Sequence, residues 1–284
     1  MPSDPLETGD SPRLVETGWL ADRLNDPRIR VVEVDWDPAD GYDRGHIPGA
    51  LCWRWKEDLW HPTSRDFLDG ESFSDLMGRS GVARDTMVVL YGDSNRFATY
   101  ALFVLVLRGH ADARLLNGGR TKWIAEGRPL TEEVPSPAPK DYSAGPPDPG
   151  IRATREEILA GLADGSRLLL DVRAVEEYRG ERVAPPGMPD HGAERAGRIP
   201  GAVHLHWAEV VGKDDTFLPL PDLRTRFESV GATPDRDIIV YCRMSHRASL
   251  IWFALKYLLG YPRVRSYDGS WTEWGSMVGM PIER

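Results

Sequence analysis

The segment Ile238-Ile239-Val240-Tyr241-Cys242-Arg243-Met244-Ser245-His246-Arg247 holds the side chains best suited to chemistry. An apolar run of the kind that forms a buried strand ends at a cysteine. A short stretch with two arginines and a histidine follows, then an apolar helical pattern. A thiol is a weak nucleophile until it loses its proton, and nearby cations and a helix N-terminus favour the thiolate. Successive backbone N–H groups in a tight loop that enters a helix also form a concavity for an anion. Between Ile238 and Tyr267 there is no acidic residue, while Arg243, Arg247, Lys256, Arg263 and Arg265 all lie there. These residues imply covalent chemistry at Cys242 on a small anionic substrate. The plain alternative is a free cysteine buried in a core; the flanking arginines weigh against it.

An internal repeat shows which elements must position this loop. Gly45-His46-Ile47-Pro48-Gly49-Ala50 returns as Gly197-Arg198-Ile199-Pro200-Gly201-Ala202, and Val88-Val89-Leu90-Tyr91 returns as Ile238-Ile239-Val240-Tyr241. Val32-Glu33-Val34-Asp35 matches Leu168-Leu169-Leu170-Asp171. Asn117-Gly118-Gly119-Arg120-Thr121-Lys122-Trp123 matches Tyr267-Asp268-Gly269-Ser270-Trp271-Thr272-Glu273-Trp274 with one position added. Similarities kept in the same order indicate two copies of one domain. The stretch from Val134 to Gly150 holds six prolines and suits an extended linker. The expected organisation is domain one over 12–132, a Pro-rich linker over 133–150 and domain two over 151–284. In the second copy Thr154 is a plausible N-cap, with Glu156 and Glu157 in the first turn of a helix reaching Leu162. Strands are predicted at Leu168–Leu170, Val203–Leu205, Ile238–Tyr241 and Val264–Tyr267, and a largely buried helix over Ala248–Leu259. Strands alternating with helices predict an α/β fold, each copy a mostly parallel sheet flanked by helices. Ligands of such sheets bind at the carboxyl ends of the strands, where Cys242 falls.

The two-copy layout, the G-[HR]-I-P-G-A turns, the Tyr-Cys-Arg loop and Tyr267-Asp268-Gly269-Ser270-Trp271 together resemble tandem-domain rhodaneses, the sulfurtransferases. The resemblance covers nearly the whole chain after the first dozen residues. It implies that the second domain is catalytic, that Cys242 is the first residue of a six-residue active loop, and that Arg243, Met244, Ser245, His246 and Arg247 bind substrate. It implies that domain one is an inactive copy: after Tyr91 come Gly92-Asp93-Ser94-Asn95-Arg96, with no cysteine and with an acid where the second copy has Arg243. The implied reaction has two steps. The Cys242 thiolate takes the outer sulfur of an anionic donor as a persulfide, and cyanide or a thiol then accepts it. Thiosulfate-type members resemble C-R-K-G-V-T in this loop and mercaptopyruvate-type members C-G-[SG]-G-V-T. The Cys-Arg-Met-Ser-His-Arg of this chain matches neither in full. Its Arg243 favours thiosulfate as donor, with His246 and Arg247 adding charge for a sulfonate-like group; 3-mercaptopyruvate is the alternative donor. A rhodanese-like phosphatase is the nearest enzyme rival, but its loop of form C-x5-R would need an arginine at Ala248.

The remaining candidates rank lower. Arg179 lies where family members often place a substrate-facing arginine, although residues 181–196 form an insertion absent from copy one, and a solvated arginine is an equal reading. Asp171 at a strand end suits the capping of loop N–H groups. Trp271 and Trp274 fit a core better than a cleft, and Cys52 in Leu51-Cys52-Trp53 is expected to be inert. His46, His191, His204 and His206 show no compelling metal spacing, and no cofactor is expected. A net charge of −9 argues against nucleic acid and anionic membranes as partners. Two cysteines in 284 residues form no disulfide framework. The opening residues lack the apolar region of a secretory signal, and no apolar run nears the roughly 20 residues that span a bilayer. A soluble, cytoplasmic protein is expected.

Overall fold

Short apolar runs form parallel strands in both halves of the chain. The computed structural model describes residues 11–163 and 165–284; the opening segment lies outside the described residues. Two units emerge: an N-terminal unit of Pro12–Asp148 with Lys213–Thr216, and a C-terminal unit of Pro149–Gly212 with Phe217–Arg284. The N-terminal unit contains β1 (Leu14–Val15), α1 (Thr17–Ala21), β2 (Ile29–Asp35), β3 (Leu51–Arg54), α2 (Gly70–Arg79), β4 (Met87–Tyr91), α3 (Asn95–Leu107), β5 (Ala113–Leu116) and α4 (Gly119–Ala125). The C-terminal unit contains β6 (Arg152–Ala153), α5 (Arg155–Gly161), β7 (Arg167–Asp171), α6 (Val175–Tyr178), β8 (Val203–His204), α7 (Leu220–Ser229), β9 (Asp237–Tyr241), α8 (His246–Phe253), β10 (Val264–Tyr267) and α9 (Ser270–Trp274). Each sheet has five parallel strands, ordered β1-β5-β4-β2-β3 in one unit and β6-β10-β9-β7-β8 in the other. No helix of the described residues is long and apolar enough to cross a membrane.

Local chemistry explains the elements that frame the loop. Thr154 caps α5 in a reciprocal box: its Oγ1 accepts from Glu157 N at 3.3 Å, and its own N–H donates to Glu157 Oε2 at 2.9 Å. The strand β9 is apolar on both faces and buried, as a central strand must be when both its neighbours, β7 and β10, are parallel to it. Every residue of α8 is buried, and the helix widens into a π-helical turn over Ala254–Leu258. Trp271 and Trp274 belong to the core with Ile239, Tyr241 and Tyr267. Their indole N–H groups are satisfied by Arg195 O at 2.9 Å and Pro281 O at 2.7 Å.

Strand register corrects two of the sequence matches. Glu33 of β2 lies opposite Tyr91, and Asp171 of β7 lies opposite Tyr241, so Glu33, not Asp35, is the counterpart of Asp171. Leu116 pairs with Val15 and Tyr267 with Ala153, which aligns Trp123 with Trp274 without an added position. Equivalent hydrogen bonds agree: Arg120 N donates to Gly92 O as Trp271 N donates to Cys242 O. An apolar run can slide by two residues without changing face, so composition alone could not fix the match between β2 and β7.

The Pro-rich stretch forms no helix or strand, yet it is packed rather than loose. Lys140 N donates to Gly78 O at 3.0 Å, Ala144 N to Ser74 Oγ at 3.0 Å, and Gly145 N to Arg108 O at 3.1 Å. Tyr142 lies edge-on to Phe73 and its hydroxyl meets His110 Nδ1 at 3.1 Å.

Candidate active site

Cys242 is the first residue after β9 and is fully buried. Its surroundings turn the loop carbonyls away. Cys242 O accepts from Trp271 N at 3.0 Å, and Arg243 O accepts from Thr272 N at 3.1 Å and Thr272 Oγ1 at 2.6 Å. Met244 O takes the His246 N–H, and Ser245 O takes those of Ser249 N and Oγ. Cys242 N donates to Ser270 Oγ at 3.2 Å. The N–H groups of Arg243, Met244, Ser245, Arg247 and Ala248, by contrast, meet no acceptor among the described residues. Ser245 makes the bend into α8 with φ of 70°, a left-handed conformation that favours glycine. Three buried side-chain donors of the same six residues, Arg243 Nε, Ser245 Oγ and Arg247 Nε, also meet no acceptor among the described residues. Buried donors are normally paired, so a cluster of open ones in the loop that carries Cys242 is chemically suited to hold an anion.

The cations of the loop are held from behind. Arg247 donates to Glu177 through Nη1 at 2.6 Å and Nη2 at 3.0 Å, with both side chains buried. Burial opposes the Arg247 charge, but Glu177 carries its guanidinium above its ordinary value. Arg243 Nη2 donates to His191 O at 2.6 Å, in the 181–196 insertion. Gly192 has φ of 106°, and a Cβ there would meet Arg243 Nη2 at 2.4 Å, so the guanidinium lies directly on this glycine. Burial pulls Arg243 below its ordinary value, which still leaves an arginine charged at neutral pH. Asp171 accepts from Arg173 N at 3.0 Å and pairs with the Arg173 guanidinium at 2.7 Å; this second buried pair lies beside Trp271, whose ring faces Arg173 at 4.5 Å.

Of the residues expected at the site, Arg243, Ser245, His246 and Arg247 are buried with Cys242, and Met244 is half-buried. Arg179 is not brought to the loop: it is exposed at the C-terminal end of α6 and contacts no loop side chain among the described residues. The inward-facing residue of that helix is Glu177, and the arginine beside the strand end is Arg173. Both were missed from sequence. The shortage of acids between Ile238 and Tyr267 meant that a buried arginine there needed a distant partner, but nothing in the sequence says which. His206 is held below its ordinary value by burial and by Arg247. Cys52 is pushed up to about 12 by burial and by Asp35 and Glu33, which makes it a poor nucleophile.

The equivalent loop of the N-terminal unit has two of its backbone donors answered by carboxylates. Asn95 N donates to Asp215 Oδ2 at 2.8 Å and Asp93 N to Asp35 Oδ1 at 3.3 Å. At Gly92, the position equivalent to Cys242, a Cβ would approach Val34 O to 2.4 Å, so a cysteine cannot be seated there without moving the backbone.

The Rhodanese-like domain model matches residues 16–126 and 154–277. The chain belongs to the rhodanese family. This rhodanese is 51% identical over 275 residues to the sulfur carrier protein TtuD of Thermus thermophilus, covering 95% of this chain and 96% of that protein. It is 46% identical over 288 residues to the provisionally named thiosulfate sulfurtransferase SseA of Mycobacterium tuberculosis, covering 99% and 95%. Among solved structures it is similar to EanB with ergothioneine covalently linked to a cysteine persulfide, with a TM-score of 0.86 and 27% identity over 99% of this chain and 72% of that one.

Proposed function

We propose that this rhodanese is a sulfurtransferase that moves a sulfane sulfur from thiosulfate to a thiophilic acceptor through a Cys242 persulfide. The observation that carries the reading is the cluster of donors around Cys242 with no acceptor of their own. In the first step the thiolate attacks the outer sulfur, a bond forms to Cys242 Sγ, and sulfite leaves with the electron pair of the broken sulfur–sulfur bond. In the second step cyanide or a thiolate attacks the terminal sulfur, and the electron pair of the Sγ–sulfur bond returns to Cys242. The loop N–H groups and Ser245 Oγ stabilise negative charge on the terminal sulfur in a setting from which water is excluded, where each such contact is worth more than in water. Arg243 Nε supplies a charged donor for the anionic leaving group.

The names of the relatives support a sulfur-handling role, and TtuD favours one further reading. A sulfur carrier and a transferase share the persulfide and differ in the acceptor, so thiols and sulfur-accepting proteins belong in any acceptor survey. As alternative donor, 3-mercaptopyruvate would use the same cysteine. Mass spectrometry of the chain after exposure to thiosulfate is expected to find one sulfur atom added at Cys242. Absence of that adduct with both donors overturns the reading.

A further inference from the structure

We propose that Glu177 sets the net charge of the Cys242 loop by neutralising Arg247, and so governs discrimination between singly and doubly charged sulfur donors. The inference deepens the function proposed above and rests on Cys242 taking sulfur from a small anion.

The geometry of the pair is fixed. Glu177 is fully buried, both its oxygens accept from Arg247, and Oε2 also accepts the Ala174 N–H at 3.0 Å, which locks the carboxylate in place. Arg247 is only 2% exposed, so it cannot swing out to another partner. Its free Nε still offers a hydrogen bond, but its charge is answered. The other charges facing the pair change little. Arg173 is matched by Asp171 at 2.7 Å. His206, which also faces His204 and Glu209, is held below its ordinary value and is neutral at pH 7. Asp190 acts on Arg243 from the solvent, with Arg182 beside it at 3.9 Å. Among the described residues Arg243 is then the loop arginine with no carboxylate within ion-pair distance, and it faces the Cys242 thiolate beside the imidazole of His246. A donor dianion brings two charges into a buried loop whose Arg247 is already paired with Glu177, and a monoanion brings one. Uncompensated charge in such a place is costly, so the neutralised Arg247 penalises the dianion more. This revises the expectation that Arg247 adds charge for a sulfonate-like group.

The test is a charge series: the parent, Glu177→Gln, Arg247→Gln and the double variant. The ratio of kcat/KM for thiosulfate to that for 3-mercaptopyruvate is measured with cyanide as common acceptor. The ratio is expected to rise about tenfold in Glu177→Gln, to fall about tenfold in Arg247→Gln, and to return to within about twofold of the parent in the double variant. The pH midpoint of Cys242 alkylation by neutral iodoacetamide gives a second readout, expected to fall by about one unit in Glu177→Gln and to rise by about one unit in Arg247→Gln. A ratio and midpoint that ignore the charge order, in variants with parent-like unfolding temperatures, overturn the proposal. Should the single variants fail to fold, the double variant decides: it has the parent's net charge, so parent-like ratio and midpoint support the proposal and a tenfold departure overturns it. If the parent accepts sulfur from neither donor while the midpoints follow the charge order, the donor reading and the discrimination between donors both fall, and only the control of the loop charge by Glu177 stands.

Discussion

At Cys242 the proposed chemistry rests on one atom. The Cys242→Ser variant keeps every backbone hydrogen bond of the loop, so it is expected to melt near the parent temperature while thiocyanate formation from thiosulfate and cyanide disappears; residual turnover would move the nucleophile elsewhere. Gly192 offers a subtler probe. A methyl group there collides with Arg243 Nη2, so Gly192→Ala is expected to lower the single-turnover rate of sulfur uptake by about tenfold and to leave discharge to cyanide nearly unchanged. Equal losses in both steps would assign Arg243 to the thiolate rather than to the donor. The placing of Cys242 and its arginines in one loop was legible because they fall within six residues. Glu177 and His191 were not, because they stand 70 and 52 positions from the arginines they hold, and only packing joins them.

Among the elements, the turn at the start of α9 is what aims the loop. Trp271 N, Thr272 N and Ser270 Oγ draw the Cys242 and Arg243 peptides into one orientation. Ser270→Ala leaves the Cys242 N–H without its acceptor, with an expected loss of about 1–2 kcal/mol by denaturant unfolding and slower sulfur uptake. A loss of stability with no change in uptake would show that α9 supports the fold without aiming the loop. The start of α5 was legible because an N-cap threonine, Thr154, followed by the acids Glu156 and Glu157 is a local signature; the structure adds that Glu157 closes a capping box. Register was not legible, since Glu33 and Asp171 are distinguished from neighbouring positions only by what lies across the sheet.

At the scale of the whole molecule, the two copies keep one backbone plan and handle charge in opposite ways. The C-terminal unit leaves donors open in the loop that carries Cys242, while the N-terminal unit answers donors of its equivalent loop with carboxylates; both bury an acid at the equivalent strand end, Asp171 in one and Glu33 in the other. Burial, with the Asp35 charge, pushes Glu33 up to about 8, against the hydrogen bonds from Tyr91 and Arg120. The native state therefore holds a proton there that the unfolded chain releases near the ordinary carboxylate value. This contribution to stability is complete at low pH, declines as pH rises through the interval between those values, and is gone above about 8. Thermal unfolding followed from pH 5 to 9 should show a falling midpoint that Glu33→Gln flattens; an unchanged slope would mean that Glu33 stays ionised beside Arg120. The repeat was legible in the sequence because its turns and strands recur in order. The opposite treatment of charge was not, because Asp215, which fills the donor at Asn95, lies 120 residues away.

The packed Pro-rich stretch has its own consequence. Pinned at Lys140, Ala144 and Gly145 and fastened by the Tyr142 ring, it is part of the outer surface of the N-terminal unit as well as a tether. A glycine–serine spacer of equal length would keep the connection and strip that cladding, so brief digestion should sever the altered chain where it spares the natural one.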